Sequence, residues 1–228
     1  MKKFLYALIA CLVAPLALFA GELTVQGTGS VSLAADNGYI NMSVVTEAIR
    51  PADAMSLNNE ATSRVFDSLT RLGIKKNEMQ TQGLRLAPKY LYQEKQEPKL
   101  VGYVVTHTLQ ITVCKIADTG KVLDAVIKDG ANRVDRVSFG LSEEKRREAL
   151  VVARKQAAQQ AVERAELYLN AFNLKNKELK SVSEHQNTPV RGYAYERAAN
   201  LSASSTPTNV EGGEIEVSVT VSTVWEVK

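Results

Sequence analysis

Cysteine, histidine and tryptophan are nearly absent from this chain. Of 228 residues two are cysteine and two histidine, and Trp225 is the one tryptophan. Cys11 lies in an apolar N-terminal run. Once that run is removed Cys114 has no partner in the chain, so an intramolecular disulfide is excluded and the fold must rest on its core or on other subunits. His107 and His185 have no second His or Cys at metal-ligand spacing. The chain also lacks a Gly-x-Ser-x-Gly elbow, a P-loop and a His-Glu-x-x-His helix. No catalytic, cofactor-binding or metal-binding residue is therefore expected, and the chain is read as a non-enzyme without a cofactor.

A strong charge of either sign is missing too. The formal net charge is +3, and it falls to +1 if Lys2 and Lys3 are lost with the leader. Such a chain is a poor electrostatic partner for nucleic acid or an anionic membrane surface. The one basic cluster, Lys145-Arg146-Arg147, is bracketed by Glu143-Glu144 and Glu148 and reads as a solvated helix face.

The single long apolar run is at the start. Met1-Lys2-Lys3 is basic, Phe4 to Phe19 is apolar apart from Pro15, and Ala20-Gly21 offers small residues for signal cleavage. The run is shorter than the ~17–25 residues of a spanning helix. Residues 1–20 are thus expected to be a cleaved signal peptide, and the protein to be periplasmic. Leu18, three positions before the cut, is larger than usual there, so an uncleaved leader that anchors the domain is the alternative route to a membrane. Leu8-Ile9-Ala10-Cys11 resembles a lipoprotein cleavage box but leaves too short an apolar stretch before the cysteine.

Residues 21–228 read as one domain. Leu23 to Ala35 and Tyr39 to Ala48 alternate in polarity, and Asp36-Asn37-Gly38 between them suggests a β-hairpin. Val25, Gly27, Gly29, Val31 and Leu33 share one side of the first run. Gly27-Thr28-Gly29 precedes no helix and reads as strand glycine, not as a phosphate cradle. A helix over 52–72 starts near Pro51 and stops at Gly73. Strands are expected over 79–93 and 100–114, the second with Tyr103, Val105, His107, Leu109, Ile111 and Val113 on its core face and a polar opposite face that is either wet or covered by a partner. His107 is expected to be a core residue with one hydrogen bond, and Cys114 a small apolar filler.

A short helix over 118–129 carries Asp118, Asp124 and Asp129, which read as ordinary solvent-facing acids. After a strand over 133–141, a helix from Ser142 to about Phe172 places Ala149, Ala153, Ala157, Ala161 and Ala165 at four-residue spacing, with Tyr168 and Phe172 closing the stripe. Packing on the protein's own sheet is preferred for this stripe over an oligomer interface. A strand near 179–184 precedes a polar segment, 185–213, far longer than an ordinary connection. The chain closes on a strand with Ile215, Val217, Val219, Val221, Trp225 and Val227 on one parity.

Taken in order, Val25-Gln26-Gly27-Thr28-Gly29, Leu72-Gly73-Ile74, Met79-Gln80-Thr81, Lys89-Tyr90, Gly102-Tyr103, Asp118 to Asp124, Gly130-Ala131, Val137-Ser138-Phe139, the alanine-spaced helix and Gly212-Gly213 resemble the SIMPL-domain family. That family includes YggE-like bacterial proteins and the periplasmic immunogenic protein of pathogens. Asp36-Asn37-Gly38 stands where its members usually show Pro-Asp. The resemblance implies an α+β domain of antiparallel β-hairpins with three helices, in the order β-β-α-β-β-α-β-α-β-β, the long third helix packed on the sheet. It also implies a periplasmic or envelope-associated protein that forms a homo-oligomer and contributes to oxidative-stress defence or envelope integrity. The alternative is a ring-forming solute-binding or channel-like envelope protein. The family has no agreed catalytic residues to carry over, and the identity of any small-molecule ligand is left open.

Overall fold

Among the described residues, alternation and helical periodicity translate into seven strands and three α-helices. The computed structural model describes residues 21–174, 178–185, 208 and 210–228. The leader expected over 1–20 and most of the polar segment 185–213 lie outside the described residues. The elements are β1 (Gly21–Ala34), β2 (Asn37–Ala48), α1 (Pro51–Arg71), β3 (Met79–Leu91), β4 (Lys99–Val113), α2 (Thr119–Asp129), β5 (Arg133–Gly140), α3 (Glu143–Ala171), β6 (Glu178–His185) and β7 (Glu214–Val227). This is the predicted α+β order with its three helices. The strands form a four-stranded sheet, β3-β4-β2-β5, and a three-stranded sheet, β1-β7-β6. Two compact units result: residues 31–150 with the described part of 189–217, and residues 21–30, 151–188 (as described) and 218–228.

In the larger unit, α1 and α2 cover one face of the four-stranded sheet. Ile40, Met42 and Val44 of β2 alternate inward beside Leu109, Ile111 and Val113 of β4, and meet Val65 and Leu69 of α1 and Val122 and Val126 of α2. Pro51 occupies the first turn of α1, where its missing N–H has no partner to lose. Gly73 and Gly130 follow α1 and α2 with φ of 83° and 138°, a backbone region that side chains disfavour.

In the smaller unit, the inward row of β1 is Val25, Gly27 and Gly29, and the buried stripe of α3 is Ala153, Ala157, Ala161, Ala165 and Leu169. The glycines let the helix backbone lie against the strand. A Cβ at Gly29 would strike the carbonyl oxygen of Ala153, and one at Gly27 that of Ala157. Val25, Ala165, Leu169, Trp225 and Val227 fill the space farther along. Trp225 Nε1 donates to Thr223 Oγ1 at 2.9 Å, and that hydroxyl donates to the Val25 carbonyl at 3.3 Å.

Two local expectations are corrected. β1 and β2 are not a hairpin, because they belong to different sheets. Asp36, Asn37 and Gly38 all lack the positive φ that a tight hairpin turn requires. Asp36 serves the start of α3 instead, its Oδ1 accepting from Ser142 N at 2.6 Å while Lys145 Nζ lies 3.5 Å from Oδ2. Burial pushes the Asp36 carboxyl up, but the Ser142 bonds and Lys145 outweigh it and hold the group below the ordinary aspartate value. The second correction concerns Tyr168 and Phe172, which do not close the buried stripe. They are exposed, their rings stacked at 6.4 Å, and Leu169 takes the buried place. Steps of four residues from Ala165 lead to Leu169, which the helix period favours over its neighbours.

Candidate functional site

Side chains capable of chemistry are dispersed. Asp124 accepts from the Thr208 hydroxyl at 2.7 Å, Asp129 from Arg71 at 3.3 Å, and Asp118 is exposed. His185 is the last residue of β6, beside Glu184, whose carboxylate takes a forked bond from Arg154 at 3.0–3.1 Å. Among the described residues no three His, Cys, Asp or Glu side chains gather as metal ligands do. Cys114 is exposed, so the expectation of an apolar filler is corrected: it follows the last residue of β4 and turns outward. Its thiol lies 3.2 Å from Glu78 Oε1, and burial followed by the bond and charge of Glu78 pushes its pKa up. That suppresses the thiolate, the form that reacts. Of the expected cleavage pair, Gly21 opens β1 and Ala20 lies outside the described residues.

Two margins of the sheets carry more information. Along β1 the backbone groups that point away from β7 meet side chains of α3. Thr28 N donates to Gln160 Oε1 at 2.8 Å, Ser30 N donates to Gln156 Oε1 at 3.1 Å, and Gln26 O accepts from Arg164 Nη1 at 2.6 Å. Thr28, Ser30, Gln156 and Gln160, with Gln159 and Glu163, line a shallow polar groove of about 360 Å³.

At the other margin, β3 and β4 run on past the end of β2. Ala48, the last residue of β2, pairs with Tyr103, while Lys89, Tyr90 and Leu91 of β3 still pair with Gly102, Leu100 and Lys99. This two-stranded end and the residues around it expose Tyr90, Leu91, Tyr92, Leu100 and Val101, and Ile49 beyond β2 is 83% exposed. Leu84 and Leu86 continue the apolar surface along β3. Charge there is balanced. Lys89 pairs with Glu47, and Glu94 and Glu97 in the turn stand beside Lys95 and Lys99. Singly exposed apolar residues are ordinary, but a cluster at one end of one sheet is the mark of a contact surface.

Comparison with known proteins places this architecture. A family model named SIMPL, described as a protein of unknown function (DUF541), matches residues 23–225. The chain belongs to the SIMPL family. Among its relatives is the 26 kDa periplasmic immunogenic protein of Brucella melitensis, 28% identical over 216 residues, covering 91% of this chain and 85% of that protein. This SIMPL protein is also 27% identical over 189 residues to the uncharacterized protein YggE of Escherichia coli K12, covering 81% and 76% of the two chains. YggE of Edwardsiella ictaluri is 28% identical over 165 residues, 72% and 68% of each. No helix among the described residues is long and apolar enough to cross a membrane.

Proposed function

We propose that this SIMPL protein is a non-enzymatic periplasmic protein that works as a homo-oligomer, with the end of the β3–β4 hairpin as its contact surface. The observation that carries the reading is the cluster of Ile49, Tyr90, Leu91, Tyr92, Leu100 and Val101, exposed at one end of the four-stranded sheet with balanced charge around it. Covering these side chains stabilises an assembly by removing apolar area from water, and the balanced charge gives two copies no reason to repel. The name of the Brucella relative supports the periplasmic placement, as does the leader expected over residues 1–20. Contact with a membrane is confined to an uncleaved leader, and nucleic acid is not a partner.

A role in oxidative-stress defence or envelope integrity is exerted through the assembled protein in this reading, since burial and Glu78 beside Cys114 disfavour its thiolate. The solute-binding alternative has the polar groove beside β1 in its favour. The amide oxygens of Gln156 and Gln160 in that groove are already bonded to the strand, which favours self-assembly over solute binding. Native mass spectrometry of the exported protein at micromolar concentration tests it: oligomers are expected, and a strictly monomeric species overturns it.

A further inference from the structure

We propose that the groove between β1 and α3 is a docking site for an extended peptide, held along the helix by its backbone carbonyls and at one end by an aromatic or large aliphatic side chain. The helix residues that close the edge of β1 have a second side. Gln160 and Gln156 accept the Thr28 and Ser30 amides through Oε1, at 2.8 and 3.1 Å. A backbone N–H can bond only to the oxygen of a glutamine amide, so each Nε2, with two hydrogens to give, is directed elsewhere. Arg164 is arranged alike: Nη1 donates to the Gln26 carbonyl at 2.6 Å, and the rest of the guanidinium fork is left over. Among the described residues these remaining N–H groups have no partner.

The spacing of this row selects the ligand. Its members stand four residues apart, ~6.0 Å of helix rise, and alternate residues of an extended chain stand ~6.6–6.8 Å apart. That match already seats β1 on the inner side of the row. The same match lets a second extended chain lie on the outer side, its alternate carbonyls accepting from Gln156, Gln160 and Arg164. The row offers N–H groups alone, which suits a line of carbonyls better than the mixed donors and acceptors of sugar hydroxyls. Glu163, whose Oε1 accepts from Gln159 Nε2 at 2.9 Å, supplies the outer wall of the groove with an acceptor for a backbone N–H.

The same row accounts for the two exposed aromatics. Counting on by fours from Arg164 reaches Tyr168 and Phe172, and the buried stripe from Ala153 to Leu169 advances by the same step, so the row keeps its place beside it. Tyr168 and Phe172 are 42% and 70% exposed, with their rings stacked at 6.4 Å. A stacked aromatic pair at the end of a polar row gives one apolar side chain of the peptide a place to leave water. From Gln156 to Phe172 the helix rises ~24 Å, the length of about seven extended residues.

This inference does not rest on self-assembly: a monomer that binds the peptide keeps it, and an oligomer that does not bind loses it. It is tested on the exported protein by fluorescence anisotropy with a dye-labelled peptide of about seven residues, blocked at both ends, alternating serine with valine and closing on phenylalanine. Saturable binding is expected, with NMR shifts at the side-chain amides of Gln156 and Gln160 and none at Tyr90 or Leu91. Gln156→Glu combined with Gln160→Glu keeps an acceptor for each strand amide and removes the outward N–H groups. Affinity should then fall about tenfold or more while exchange protection at Thr28 and Ser30 is retained. Phe172→Ala should weaken this peptide about fivefold and leave one closing on serine unchanged. Absence of saturable binding, equal affinity in the double glutamate variant, or shifts confined to the end of β3–β4 overturns the proposal. Binding of a linear maltodextrin with the same side-chain shifts, and none of the peptide, overturns it in favour of a glycan. If the double variant does not fold, Phe172→Ala decides alone: equal loss for both peptides, or no loss for either, overturns the proposal.

Discussion

Strands β1 and β3 are both sheet margins, and they are finished in opposite ways. The outer backbone groups of β1 at Gln26, Thr28 and Ser30 are bonded to Arg164, Gln160 and Gln156, one helix residue in four serving one strand residue in two. The match is one of lengths. Four helical residues rise ~6.0 Å and two strand residues ~6.6 Å. Side chains bonded to β3, by contrast, come from its own sheet: His107 and Gln110 of β4 and Glu47 of β2. Within β3 the edge is blunted only locally, by Pro88, which has no N–H to offer a neighbouring strand, by the charges of Arg85 and Lys89, and by register shifts at Thr81/Gly83 and Lys89/Tyr90. A sheet edge is a pairing template unless something closes it. Here one edge is closed by a helix, and the other is left open beside exposed Leu84, Leu86, Tyr90 and Leu91.

The contrast can be broken most severely at the glycines. Gly29→Val drives a side chain into the backbone of α3 at Ala153, and a loss of about 3 kcal/mol or more, or failure to fold, is expected in chemical denaturation. Gly83 of β3 has open space where its Cβ would lie. Gly83→Ala should therefore leave the denaturation midpoint close to that of the unaltered protein, and an equal loss at both sites would erase the distinction between closed and open margin.

Next in size is the open margin. Ile49→Glu combined with Tyr92→Glu should weaken self-association at least tenfold, about 1.4 kcal/mol, in sedimentation at graded concentrations. The denaturation midpoint of the monomer should stay in place, because both side chains are exposed. The smallest effect is expected at the seal of β1. Gln160→Ala leaves the Thr28 amide to water and should cost about 1 kcal/mol, with faster exchange at Thr28 than at Val25. If exchange at Thr28 is unchanged, the glutamine is not what closes that edge.

Much of this architecture was legible in the sequence. Val25, Gly27 and Gly29 were visible as one face, the alanines of α3 as one stripe, and the parity of β7 from Ile215 to Val227 was plain, because burial imposes a period on residue choice. What joins such elements leaves a weaker trace. Asp36-Asn37-Gly38 has the composition of a tight turn, yet the Ser142 amide and Lys145 claim the carboxylate and the chain passes to another sheet. The two units are invisible to periodicity, since β1, α3 and β7 each contribute to both. The exposed end of β3–β4 was illegible for the converse reason. Tyr90, Leu91, Leu100 and Val101 look like core by type, and only the early end of β2 at Ala48 leaves them uncovered. His107 was expected on an apolar face with one hydrogen bond, but the second bond, across to Thr81, depends on strand register that sequence does not give.

The seam between β1 and α3 also limits how this chain can vary in length. Adding one residue within β1 would turn the glycine row to the opposite face and set Thr28 or Ser30 against the helix. Adding two restores the face but carries the row half a dozen ångströms along, a distance the helix can follow only by gaining about four residues of its own. Insertions and deletions in these distant stretches of sequence are thus locked in a two-to-four ratio, and relatives whose β1 and α3 lengths differ should differ by those increments together.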